Sequence, residues 1–313
     1  MGVEIQQAIA LPGQTVILNF NNPLQAWVVG MNMFSLTYGP NTDHWVETIS
    51  ISLQTNQPTT SMIGNQLGVT VHAQLQDASG HTIYVDGSSG SQIGVTCVAI
   101  TGSNDPQTYM GNVTGIANNT SVPVELPGSG GSFTALTSCL SGFNLSFNTT
   151  DHHFAGAVMG TGIAATGTTG QISGVASLYD ASGNRASTTT VDAGYIASVN
   201  PSPPFMTQVI NKQSQPPFAV TFPQNVSQIA ILLQNITVQF PSGGDNNLQT
   251  ILAGGFTIAT PSGPSSGPFL VNPPAESVTL NQLITHVNDN SGHWEDDNIS
   301  SVTALVIGLP AAS

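Results

Sequence analysis

The chain has 313 residues, 39% of them hydrophobic, which is enough for about two or three domains with cores of their own. Only 6% of residues are charged and the net charge is −14, with Arg185 and Lys212 the only Arg and Lys in the chain. Such a chain repels polyanions and anionic membranes and lacks an arginine clamp for phosphoryl transfer, so nucleic-acid binding and kinase-like chemistry are excluded.

In chain order, "MGVEIQQAIALPGQTVILNF" shows no basic start and no unbroken apolar run, so no signal peptide is read there. No run of about 18 apolar residues occurs anywhere, and no transmembrane helix is expected. "TVILNF" from Thr15 predicts a short strand. "FSLTYGPNTDHWVETI" (Phe34 to Ile49) predicts an alternating strand ending on Tyr38, a polar turn, Asp43 and a second strand. "VTVHAQLQDASG" alternates into an Asp-x-Ser-Gly turn at Asp77, and "VTCVAI" from Val95 closes the segment. "TGSNDPQTYMGN" follows and reads as a linker.

The same order then repeats. "VPVELP" from Val122, "FNLSFNTTDHHFAGAV" (Phe143 to Val158), "GVASLYDASG" with its turn at Asp180, and "AGYIAS" from Ala193 form a second copy. A Pro-rich stretch, "NPSPPFMTQVINKQSQPP", reads as a linker. A third copy runs through "FAVTFP" from Phe218, "ITVQFPSGGDNNLQTI" (Ile236 to Ile251), "LITHVNDNSG" with its turn at Asp289, and "VTALVI" from Val302. A period of about 100 residues is too long for a solenoid unit and predicts that each copy is its own small domain. The expected fold is all-β: three tandem antiparallel β-sandwich repeats of about six strands each. They span residues 1–101, 102–200 and 201–313, with boundaries near Thr101 and Pro201. "NQLITH" from Asn281 is too short to predict a helix.

Several residue groups invite chemistry. Asp151-His152-His153 suggests a metal site, but neighbouring strand side chains point to opposite faces, and the other copies carry His44-Trp45 and Asn246-Asn247 at those positions. Asp43, Asp151 and Asp245 do recur, and a turn-closing carboxylate is the favoured reading. His72, His81, His286 and His293 show no zinc-ligand spacing. Asp-x-Ser-Gly likewise reads as turn chemistry, with a Ca²⁺ held by Asp289, Asp296 and Asp297 as the alternative. Trp294, in the acidic "GHWEDDN" loop, is placed to stack on a sugar or to cover its own domain edge. Cys97 and Cys139 lie in apolar contexts and are expected as buried free thiols. Eight sequons (at Asn112, Asn118, Asn119, Asn144, Asn148, Asn225, Asn235 and Asn298) are weak signals in so polar a chain. Neither a nucleophile elbow nor a phosphate-cradling loop is present, and no enzyme is expected.

The order "V-x-L-x-F" strand, middle strand pair, late "V-x-A-x-L-x-D" strand and apolar closing strand resembles H-type lectin domains. That resemblance implies six-stranded sandwiches that associate as trimers and bind amino-sugars at their loops. Three joined units would then form an intramolecular pseudo-trimer. No sugar-contacting residue is carried over, because the copies differ at His44, His152 and Asn246.

Two functions follow as expectations. The first is a non-catalytic glycan-binding protein using Asp43, His44, Trp45, Asp151, His152, His153, His293 and Trp294. The second is a self-assembling structural subunit of an extracellular fibre, coat or particle, whose partners are copies of itself. A polar, uncharged surface with two trypsin-type cleavage positions fits an extracellular setting or a particle surface. No cofactor is expected beyond the possible Ca²⁺.

Overall fold

The fold comes from a computed structural model that describes residues 2–56, 64–83, 88–127, 133–166, 169–212, 218–241, 246–258, 269–296 and 299–311. The described residues are all-β, and every strand pair is antiparallel. No helix among them is long and apolar enough to cross a membrane.

The first copy supplies β1 (Gly2–Ala10), β2 (Thr15–Asn19), β3 (Leu24–Thr37), β4 (Thr48–Asn56), β5 (Gln66–Gln76) and β6 (Gln92–Thr101). The second supplies β7 (Thr108–Ala117), β8 (Thr120–Glu125), β9 (Ala135–Ser146), β10 (Gly156–Thr166), β11 (Thr169–Tyr179) and β12 (Thr188–Ser198). The third supplies β13 (Met206–Lys212), β14 (Phe218–Gln239), β15 (Thr250–Ile258), β16 (Phe269–Asn288), β17 (Trp294–Asp296) and β18 (Ser301–Pro310).

Strand order follows the copies. In the first, β1-β6-β3 run side by side in one sheet and β2-β5-β4 in the other. The second orders β7-β12-β9 and β8-β11-β10 in the same way. In the third, β13 pairs β18, which pairs β14, while β14 also pairs β16, which pairs β15. Here β14 does two jobs, because "FAVTFP" and "ITVQF" lie on one 22-residue strand. Its first part pairs β16 and its last part pairs β18 and β10, so two sheets merge into one of 12 strands beside a second of six.

Three of these strands were hidden. β1 lies in the opening stretch, β7 begins inside the first predicted linker and runs beyond it, and β13 falls inside the second. All three pair only with a closing strand, so one long edge needs no apolar partner and the polar residues of "TYMGNVTGIA" and "MTQVINK" are tolerated. The closing strands are the reverse case. β6 is buried along nearly its whole length, as "IGVTCVAIT", and β18 nearly so. A strand buried on both faces reads as an apolar run rather than as an alternation.

The reason is a second layer of core. One cluster of buried residues runs from Leu18 and Phe34 through Phe143 and Phe154 to Ile236 and Val306. A smaller cluster gathers Val28, Cys139 and Leu232 with Val98, Ile196 and Ile307, and so draws on all three copies. Cys97 and Cys139 are buried and unpaired with one another. Burial pushes the Cys139 thiol up to about 12 and raises that of Cys97 as well. Native protein at neutral pH should therefore resist alkylation by iodoacetamide, and denatured protein should gain two labels by mass. Labelling of either thiol at its free-solution rate in the native state would contradict this placement.

Candidate functional site

The three turn segments meet. The residue after each turn aspartate forms a β-bridge with the residue three places after the turn aspartate of another copy: His44 with Leu248, His152 with Val46, Asn246 with Phe154. Their backbone bonds run from 2.8 to 3.1 Å, including His44 N to Leu248 O, His152 N to Val46 O and Phe154 N to Asn246 O. The ring closes on itself, first copy to third, third to second, second to first.

From this ring the strands continue as cross-copy ladders in one shared register. Thr48 pairs with Ser146, Gly156 with Gln239, and Thr250 with Thr37. In each case the fifth residue after a turn aspartate faces the residue just before Tyr38, Phe147 or Phe240. These ladders cross the positions Thr101 and Pro201.

The recurring aspartates are tied into the same ring. Asp43 Oδ2 accepts the Asn290 N–H at 3.0 Å, and Asp151 Oδ2 accepts the Ala78 N–H at 3.4 Å. Each donor follows the Asp-x-Ser-Gly aspartate of a different copy. Asp245 lies outside the described residues. Turn-closing chemistry thus reaches from one copy to the next, which explains why the carboxylate recurs while its neighbours vary.

Asp77, Asp180 and Asp289 are themselves buried. Each folds its turn by accepting the backbone N–H of the residue four places on: His81 at 2.8 Å, Asn184 at 2.7 Å and His293 at 2.8 Å. The side chain of that same residue bonds the other oxygen, through His81 Nδ1 at 2.7 Å, Asn184 Nδ2 at 2.5 Å and His293 Nδ1 at 2.7 Å. Turn residues add a second donor, with His44 Nδ1 at 3.2 Å from Asp77 Oδ2 and His152 Nδ1 at 3.0 Å from Asp180 Oδ2. Burial alone raises the Asp77 carboxyl, but the bonds from His81 and the nearby His44 bring it below its ordinary value. Asp180 behaves alike: burial raises it, and Asn184 with His152 lowers it further than that.

Rings complete the cluster. Tyr38 meets His44 edge-on at 4.7 Å, His44 stacks on His81 at 4.2 Å, and Phe147 lies 4.2 Å from His152. Burial, then the charges of Asp77, Asp151 and Glu47, push the Tyr38 phenol far above its usual range, so it stays a neutral donor to Trp45 O. Trp45 is 45% exposed and its ring packs on His153 of the second copy at 4.5 Å. His152 and His153 therefore face different surroundings, as strand alternation requires.

The structure thus brings Asp43, His44, Trp45, Asp151, His152 and His153 together, and the turn bearing His293 joins them through Asp43. The Trp294 and Asp296 side chains and all of Asp297 lie outside the described residues. Asp289 spends both oxygens on protein donors. His81, set aside on spacing, proves central to the first copy. Its signal was present: the residue after each Asp-x-Ser-Gly is His81, Asn184 or His293, always a side-chain donor. Two open grooves, one beside Val124 and Thr169 and one beside Trp27 and Met110, lie away from this cluster. No protein-family model matches the chain, and no curated protein matches its sequence.

Proposed function

We propose that the chain is a non-catalytic binding protein whose three lectin-like β-sandwich repeats form an intramolecular pseudo-trimer, and that it recognises glycans at the three-way junction. The observation that supports this reading best is the shared register of the three cross-copy ladders, which closes one chain into a threefold-like ring. Trp45, exposed and braced by His153, offers an apolar platform of the kind that stacks on the C–H face of a sugar ring. Asp43 and Asp151, half-exposed two residues before Trp45 and His153, offer acceptors for sugar hydroxyls. With so little positive charge on the chain, recognition rests on these neutral and acidic groups.

The Thr150, His152 and Asp180 side chains do form a hydroxyl–imidazole–carboxylate chain, with His152 Nε2 3.3 Å from Thr150 Oγ1. Its hydroxyl is secondary and two residues from its imidazole, and Thr42 at the matching place instead donates to Gly39 O at 3.1 Å. A local turn contact accounts for it.

A glycan array tests the proposal on wild type and Trp45→Ala, with folding checked by circular dichroism. Binding to one glycan class by wild type, weakened about fivefold or more in the variant, supports it, taking as a guide the loss of about 1–3 kcal/mol when an aromatic that stacks on a nucleobase is removed. Single sites of this kind are weak, so signal should rise with glycan density. No glycan bound by wild type, together with ordered polymers by electron microscopy, would instead establish the self-assembling subunit.

A further inference from the structure

We propose that His44, Asp77 and His81 form a binding site for one divalent transition-metal ion of the zinc class, present in the first copy and not in the other two. It does not rest on the glycan reading. One donor atom from each residue lies within 4.8 Å of the others. Both Nδ1 atoms converge on a single carboxylate oxygen, at 3.2 Å from His44 and 2.7 Å from His81. Ligands around a tetrahedral zinc at its usual bond lengths stand about 3.3 Å apart, so the His44–Asp77 pair already has that spacing and the His81–Asp77 pair must open by about 0.6 Å.

The site is held in shape before any ion arrives. Asp77 is buried and fixed through Oδ1 by the His81 N–H at 2.8 Å. His44 is gripped between Tyr38 and His81. His81 is 59% exposed, so one side of the cluster opens to solvent, where water or an external ligand completes the coordination. On binding, each imidazole offers a nitrogen lone pair, and a proton now on Nδ1 moves to Nε2 or to solvent. Two imidazoles and one carboxylate select zinc, nickel, copper or cobalt over calcium and magnesium, which want oxygen. The surrounding charge agrees, in a chain of net charge −14 whose Asp151 carboxylate reaches the Ala78 N–H.

The repeat supplies its own controls. The second copy keeps His152 but has Asn184 in the place of His81; the third keeps His293 but has Asn246 in the place of His44. The second and third copies each fold their turn with a single imidazole, so His44→Asn and His81→Asn recreate arrangements the fold already uses.

Chelator-treated protein is titrated with Zn²⁺ by calorimetry as wild type, His44→Asn, His81→Asn and His293→Asn, each checked by circular dichroism. Wild type and His293→Asn should bind one equivalent alike, and the other two should bind at least about tenfold more weakly, the lower end of what disturbing a metal site costs. No binding by wild type, undiminished binding in either His44→Asn or His81→Asn, or equal loss in His293→Asn would overturn the site. Should a variant unfold, the imidazole NMR resonances of wild type decide: Zn²⁺ should perturb two of the seven histidines, and perturbation of none or of a different set refutes it.

Discussion

Replacing Gly254 with alanine is expected to cost about 3–5 kcal/mol and to lower the unfolding temperature by roughly 10 °C. Gly254 is the last residue of the ladder between β15 and β3, opposite Met33. Its φ is +95°, and a Cβ there would stand 2.3 Å from Asn32 O and 2.6 Å from Met33 Cα. Both obstacles are backbone, so no side-chain rotation relieves them. The matching places in the other junctions also carry one glycine per pair. Gly142 faces Ser52, where a Cβ would lie 2.6 Å from Ile51 O, and Gly160 faces Asn235, whose side chain would be struck. Each cross-copy ladder thus ends where two strands approach too closely for a second Cβ.

Glycines in the Asp-x-Ser-Gly turns serve as the comparison. Gly80, Gly183 and Gly292 also have φ near +90°, but a Cβ at each would meet nothing within 4 Å. Alanine there should cost only the left-handed backbone penalty of about 1–2 kcal/mol. Thermal melts of Gly254→Ala and Gly183→Ala side by side measure the difference. Equal losses would mean that the junction does not depend on close approach.

These glycines also show what could be read from the residues and what could not. Period-two alternation in "TISISLQT" and "VTVHAQLQ" predicts β4 and β5, and the recurring turns predict where strands stop. Register between copies leaves no such trace. The aromatic-turn-aspartate segment predicts two strands joined by a turn, yet nothing local says that each strand pairs with another copy. β1, β7 and β13 were missed because an edge strand needs only one apolar face. His81 was missed because its partner, His44, lies 37 positions earlier and meets it only once Asp77 is buried between them. The two glycines at Gly142 and Gly254 sit in different strands of their ladders, so no single column of the repeat marks the junction.

Acidification should destabilise the protein progressively below about pH 4, and Asp180→Asn should remove a measurable part of that dependence. Asp180 takes bonds from the Asn184 backbone, the Asn184 amide and His152 Nδ1 at 2.7, 2.5 and 3.0 Å. An amide in its place keeps one acceptor and turns an NH₂ toward two donors, a loss of about 2 kcal/mol at pH 7. Asp77, Asp105, Asp180 and Glu4 all titrate below their ordinary values, because their hydrogen bonds outweigh a burial that by itself would raise them. A carboxyl lowered in the fold stabilises fully above its ordinary value of 3.8 and loses that contribution as pH falls through the lowered folded value. Asp192 runs the other way: burial raises it, and acid relieves a cost that it imposes at neutral pH. Four groups against one set the direction. The unfolding temperature of wild type should therefore drop between pH 4 and pH 2.5, and the gap to Asp180→Asn should be widest at pH 7 and shrink toward the acid end. A gap that stays constant across that range would mean that the Asp180 charge contributes nothing to the turn, and that its place there is one of shape alone.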